Sequence, residues 1–292
     1  MLPRTVVHAP SATSATPDVA DALRRICVRP PYFALRDGAR EGRFLQATAV
    51  AESPPFLESG PMPAAEVGRH AAIAGLLHAA LEQRDDARRY YLAREATCVY
   101  VPNPAPYGTP VAFRTEVLDL DRRSAHVRSE ARTNEGPLAQ IELRYAILTE
   151  PAFERLFRHR AMETFAAPSP FGRLLTESFE RNGDAVSQTI DAIPAAACCG
   201  HFDGFPAMPV AVLMGQLAFL AGRLFDDDRG APLPFRVTRG EIAADDLAWA
   251  GESARFLVAR DGSDADGRRF RCQVDVTGRT VATMALWLTE PR

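Results

Sequence analysis

His201 stands in the stretch Gly200-His201-Phe202-Asp203-Gly204-Phe205-Pro206-Ala207-Met208-Pro209, which runs directly into an apolar segment from Val210 to Phe225. An imidazole titrates near neutrality, so it can take up or give back a proton under physiological conditions. Its neighbours are punctuation: Gly200 and Gly204 admit backbone turns closed to other residues, and Pro206 and Pro209 fix φ and end any preceding strand. Pro209 suits the first helical position. From there Val210, Leu213, Met214, Leu217, Phe219, Leu220 and Leu224 cover nearly the whole circumference of a helix, which predicts a helix wrapped by other structure. A loop histidine at the mouth of a buried helix is placed for acid–base chemistry.

The cysteines offer a competing nucleophile. Cys198-Cys199 lies beside His201, but adjacent residues of an extended chain point to opposite faces, so at most one thiol can face the site. Cys27, Cys98, Cys198, Cys199 and Cys272 are odd in number and lack CxxC spacing. That argues against a disulfide framework and a zinc site, favours buried small hydrophobes, and fits a reducing cytoplasm.

The histidine stretch resembles the signature of the hotdog-fold β-hydroxyacyl-ACP dehydratases of fatty-acid and polyketide synthesis, GHFPGxPxMPG followed by a helix. Gly200, His201, Phe202, Gly204, Pro206, Met208 and Pro209 match it, while Asp203 replaces a proline and Val210 a glycine. The position of the family's catalytic carboxylate, six residues past the second proline, falls on Gly215. The resemblance implies a cofactor-free enzyme in which His201 is the general base for removal of the α proton of a β-hydroxyacyl thioester. It implies that the Val210 N–H at the helix start polarises the thioester carbonyl, and that the substrate is carried by an acyl carrier protein or by coenzyme A.

The order of elements repeats. A helix is predicted from about Ala64 to Glu82, with Ala65, Val67, Ala72, Ile73, Leu76, Leu77, Ala80 and Leu81 on the 3.6-residue period. It follows a proline-rich loop, Ser53 to Pro63, and precedes extended segments at Tyr90–Val101, Pro110–Leu120, Ala125–Thr133 and Leu138–Thr149. The second half runs from a strand at Ala185–Ile193 through the histidine loop and its helix to extended segments at Phe235–Ala243, Glu252–Arg260, Arg268–Thr277 and Thr280–Thr289. Phe56 precedes Met62-Pro63 by the spacing at which Phe202 precedes Met208-Pro209, so the halves align without a gap across the loop. Ahead of the repeat come a loose arm over residues 1–17, an amphipathic helix at Asp18–Val28, and strands at Pro31–Leu35 and Phe44–Val50 joined by an Asp37-Gly38 turn. The resulting expectation is an α+β chain of two hotdog modules, 1–150 and 183–292, joined by a partly helical connector, 151–182, that includes Phe171–Arg181. Each module would wrap an antiparallel sheet on its own central helix, and the two sheets would pair as a pseudo-dimer.

The alignment sets Pro55 opposite His201, Arg69 opposite Gly215 and His70 opposite Gln216, so one live site is expected. The family's acid comes from the partner module's central helix. Its equivalent here is Arg69, which cannot act as an acid at neutral pH. Glu66 and His70, at i and i+4 on one helix face, are the candidate proton donors. Glu66 in a first helical turn is also what the helix dipole favours. The resemblance sets Gly204, Val210, Arg69 and Gln216 around the substrate.

Composition narrows the alternatives. The chain has 292 residues, 47% hydrophobic and 24% charged, and a formal charge of −3, as expected of an ordinary globular protein. Its 34 basic residues are all arginine and lie scattered, so neither a nucleic-acid nor a membrane partner is indicated. A dehydratase, or a related isomerase or cyclase, is the leading reading. A hotdog thioesterase would use a carboxylate or a polarised water, and a non-catalytic acyl-binding module would explain Gly215. Association of such pseudo-dimers into a larger homo-oligomer is left open.

Overall fold

A computed structural model describes residues 17–162, 178–202, 204–226 and 230–291. The first half contains α1 (Pro17–Arg25), β1 (Arg36–Glu41), β2 (Phe44–Ala49), α2 (Ala64–Glu82), β3 (Arg89–Tyr100), β4 (Val111–Leu120), β5 (Ser124–Thr133) and β6 (Gly136–Thr149). After α3 (Glu150–Phe157), the second half contains β7 (Glu180–Asn182), β8 (Ala185–Ile190), β9 (Ala207–Met208), α4 (Val210–Leu224), β10 (Arg236–Ala244), β11 (Ala248–Trp249), β12 (Ala254–Asp264), β13 (Gly267–Val276) and β14 (Arg279–Thr289).

The sheets of the two halves pair strand to strand into one. Twelve strands pair in the order β1-β2-β4-β5-β6-β3-β10-β14-β13-β12-β8-β7, and β9 with β11 forms a separate two-stranded ribbon. The seam is an antiparallel pairing of β3 with β10, in which Cys98 faces Gly240 and Ala96 faces Ile242. Pairing across the seam gives the otherwise open edges of β3 and β10 hydrogen-bonding partners. Strand alternation then buries one face: on β12, Ala254, Phe256 and Val258 are buried and Arg255 is exposed.

Both central helices lie on that buried face and touch each other. α2 packs on β2, β4, β5 and β6, and α4 on β8, β12, β13 and β14. This enclosure is why α2 is buried almost all round, including Glu66, Arg69, His70 and His78. The internal repeat extends to the backbone. Pro63 (φ −56°, ψ 141°) and Pro209 (φ −62°, ψ 141°) occupy the same N-cap conformation, one residue earlier than the first helical position expected for Pro209. The Pro63 carbonyl accepts from the N–H groups of Glu66 and Val67, and the Pro209 carbonyl from those of Val212 and Leu213. At the far end of α4, Gly222 has the Phe235 ring where a Cβ would stand, 2.3 Å away. Gly222→Ala is therefore expected to destabilise the fold by about 1–3 kcal/mol through overpacking, a loss that thermal or urea unfolding would measure.

Two expectations near the N-terminus are corrected. Pro31–Leu35 is a turn and irregular chain: Phe33 N–H donates to the Arg29 carbonyl, and the carbonyls of Pro31 and Tyr32 accept from the Arg69 guanidinium, so these groups are unavailable for a sheet ladder. Asp37-Gly38 lies inside β1, where a register shift between Arg36 and Ala39 and a left-handed Asp37 (φ 53°) make a bulge. The loose arm, apart from its last residue, and most of the predicted helix at Phe171–Arg181 lie outside the described residues. The end of that helix is instead β7, paired with β8. Among the described residues no helix is long and apolar enough to cross a membrane.

Candidate active site

The histidine loop leaves a short 3-10 turn at Ala195–Cys198 and is held against the first half at Gly200. Gly200 takes φ 79°, and a Cβ there would lie 2.3 Å from the Arg29 carbonyl oxygen. Its own carbonyl accepts from the Arg29 N–H at 2.7 Å. A side chain at this position would push the loop off the first half, which is the physical use of the glycine. Gly204, at φ 76°, turns the loop again, and its carbonyl accepts from the Met162 N–H.

The His201 ring is held on three sides. It stacks on Phe202 at 4.0 Å, meets the Tyr32 ring edge-on at 5.1 Å, and places Nδ1 2.9 Å from the Ala207 carbonyl oxygen. A carbonyl can only accept, so Nδ1 carries the proton of the neutral ring and Nε2 holds the lone pair. Burial among these groups pushes the imidazole down to about 4, against the opposing effect of the Ala207 hydrogen bond. His201 is therefore neutral at physiological pH, in the tautomer that presents a basic nitrogen.

It lines a cavity of about 310 Å³ at the seam, enclosed by both central helices and by β3, β10 and β14. Ala64, Ala65, Gly68 and Ala72 of α2 face Val210, Ala211, Met214 and Ala218 of α4 across it. The small side chains of α2 are what leave the space. The first intrahelical donor of α4 is Val212, so the N–H groups of Val210 and Ala211, both on residues lining the cavity, are the free donors of a helix N-terminus. Val210 was legible from the motif. Ala211 and Tyr32 were not, although Pro209 marks where free helical donors begin.

The other expected site residues gather elsewhere. Glu66 accepts from the backbone N–H groups of Glu52 (2.7 Å) and Ser53 (3.0 Å), and its Oε1 lies 3.6 Å from His70 Nε2. Arg69 reaches Glu52 at 2.7 Å and spends its remaining donors on the Tyr32 and Pro31 carbonyls. The Arg69 guanidinium also lies over the Tyr32 ring at 5.1 Å, so Tyr32 separates it from His201. Among the described residues, Glu52, Glu66 and His70 are a group whose ligand atoms converge within 4.8 Å, and the Arg69 guanidinium already supplies their counter-charge. His70 is wholly buried beside Phe113, and desolvation lowers its pKa. No hydrogen bond among the described residues joins Glu66 or His70 to His201.

Glu66, Arg69, Gly215 and Gln216 line a second cavity of about 120 Å³, beneath the proline-rich loop of the first half. Gln216 is buried and its Nε2 donates to Gln188 Oε1 at 2.5 Å. None of the five cysteines is in a disulfide, and burial pushes the Cys198 thiol up to about 12, which leaves that sulfur protonated near neutrality.

No family model matches the sequence, and no curated protein matches it. Among solved structures the chain is similar to a putative oleoyl thioesterase from Lactobacillus plantarum, at 10% identity and TM-score 0.58, with 88% of this chain and 98% of that one covered. It is similar to the 12:0-ACP thioesterase from Umbellularia californica, at 11% identity and TM-score 0.57, over 86% of this chain and 99% of the other. It is also similar to a hotdog-fold protein of unknown function from Alicyclobacillus acidocaldarius, at 12% identity and TM-score 0.52, over 88% and 97%. At such identities the likeness speaks for the architecture alone, and the architecture is the hotdog fold.

Proposed function

We propose that the protein is an acyl-thioester enzyme that removes water from a β-hydroxyacyl group carried by an acyl carrier protein or coenzyme A. The observation that carries this reading is His201, with Nδ1–H tied to the Ala207 carbonyl and Nε2 left basic at the wall of the seam cavity. An acyl chain fits between the two helices, where the cavity is mainly apolar. The thioester oxygen accepts from the N–H groups of Val210 and Ala211, which stabilise the negative charge that develops when the α proton leaves. His201 Nε2 takes that proton. The imidazolium then returns it to the β-hydroxyl, the C–O bond breaks, water departs, and the neutral ring is restored with the double bond in the product. His201 thus serves as both base and acid, because Glu66 accepts from the Glu52 and Ser53 N–H groups and neither Glu66 nor His70 lines the cavity that His201 faces.

The likeness to two thioesterases favours a second reading, in which the same Nε2 activates water and the thioester is hydrolysed. Mass spectrometry after incubation with β-hydroxyacyl thioesters distinguishes them: an enoyl thioester supports dehydration and a free acid supports hydrolysis. Recovery of unreacted substrate from folded protein, across carriers and chain lengths, would leave a binding module. The base acts unprotonated, so kcat/KM is expected to hold across neutral pH and to fall as pH drops through about 4. A profile falling instead below pH 6 to 7 would contradict the desolvated, neutral histidine.

A further inference from the structure

The second cavity lies beside the loop and helix that the internal repeat sets opposite the His201 loop and α2. Pro55 corresponds to His201 and Gly215 to Arg69. Near His201, the Arg69 side chain lies over the Tyr32 ring, which meets the imidazole edge-on. On the Pro55 side Gly215 contributes no side chain, and a methyl placed there would rest 3.7 Å from Ala65. At about 120 Å³ the opening is somewhat smaller than the roughly 150 Å³ apolar cavity that encloses benzene, so it takes the greater part of one aromatic ring with an edge left outside.

Its walls are flat. Pro55, Phe56, Phe219 and Phe235 line it. Phe56 is 51% exposed, holds a left-handed φ of 49°, and meets Phe219 edge-on at 5.3 Å. A large exposed aromatic and a non-glycine residue in that backbone region are features that gather where ligands are clamped. Ser53, Glu66, Arg69 and Arg223 also line the slot, and two further polar groups, Gln216 and Glu58, punctuate it. Gln216 commits its amide nitrogen to Gln188, leaving Oε1 as an acceptor. Glu58 accepts from the Ala64 N–H through Oε1, and burial pushes its carboxyl up to about 7.

We propose that this first-half cavity is a binding site for the ring of a single-ring phenolic ligand, packed against Phe219 and Phe56 with its hydroxyl donating to Gln216. The site does not depend on the dehydration reading, because it uses neither His201 nor the seam cavity.

The test uses the full-length protein and 4-ethylphenol, titrated by calorimetry or ligand-observed NMR, with 4-ethylcyclohexanol as an analogue lacking the flat ring. Wild type should bind the phenol one to one and the cyclohexanol about tenfold more weakly. Gly215→Leu, which fills the slot, should weaken phenol binding by about tenfold or more, whereas Met214→Phe, which fills the seam cavity, should change it less than about twofold. Gly215→Ala places a methyl in ordinary contact with Ala65 and should weaken binding by a smaller factor, which keeps the test available if the leucine variant misfolds. No binding to wild type would overturn the proposal. So would loss of binding in Met214→Phe with retention in Gly215→Leu, or equal affinity for the saturated analogue.

Discussion

His201→Ala is expected to lower turnover of a β-hydroxyacyl thioester by roughly 10²- to 10⁴-fold, the usual size of a general-base contribution, with the fold retained. The ring makes one hydrogen bond, to Ala207, and rests on Phe202 and Tyr32, which belong to two separate apolar clusters of which His201 is not itself a member. The same substitution should change how stability responds to acid. In the folded chain the imidazole titrates near 4, and its ordinary value is 6.5. Between those values the unfolded chain binds the extra proton, so stability rises with pH across that window. The contribution of His201 is fully present above about pH 6.5 and is lost as pH falls through about 4. Wild type should therefore lose melting temperature between pH 6.5 and 4 more steeply than His201→Ala, while the buried His70 contributes the same sense of dependence to both proteins. A variant with wild-type turnover would remove His201 from the chemistry, and an unchanged acid response would show that the ring is not neutral in the fold.

What the sequence reveals of this molecule depends on how local each feature is. α2 is legible to its ends because a long Ala- and Leu-rich run is bounded by Pro63 and Gln83, and the four strands after it are legible because their alternation meets clear turn residues. The repeat was visible where two Met-Pro pairs start two helices, and the matching backbone angles at Pro63 and Pro209 are its physical content. β1 was misplaced because its neighbour, Pro31–Leu35, is apolar enough to read as a strand, while its carbonyls are claimed by Arg69, a residue distant in the chain. The employment of Glu66 was half legible. Its place in the first turn of a helix is a sequence feature, but its bonds to the N–H groups of Glu52 and Ser53 depend on the path of the preceding loop. Tyr32, which separates Arg69 from His201, left no trace in any motif.

Arg69→Met should cost about 3–5 kcal/mol, in the range of breaking a buried ion pair, and should disturb the histidine loop as well. The guanidinium is 2% exposed and bonds the Tyr32 carbonyl, the Pro31 carbonyl and Glu52. Methionine fills much of the volume and supplies none of the donors, so two carbonyls in a packed turn lose their partners. Glu52 is partly exposed and can recover water, which places most of the cost on the carbonyls and on the turn they hold. That turn carries Tyr32, whose ring covers one edge of His201, and Arg29, whose N–H binds Gly200. Loosening it admits water to the imidazole, and the His201 pKa should move from about 4 toward 6.5. An NMR titration of the His201 ring reads this effect separately from the loss of melting temperature. Arg69→Lys keeps the charge but cannot reproduce the planar fork that reaches Tyr32, Pro31 and Glu52 together, so it should recover only part of the stability and part of the pKa displacement. If Arg69→Met melts early but leaves the His201 titration unchanged, the arginine braces the first half alone. If both properties shift and lysine returns them in part, the position that aligns with Gly215 has become the clamp that holds one half of the chain against the histidine of the other.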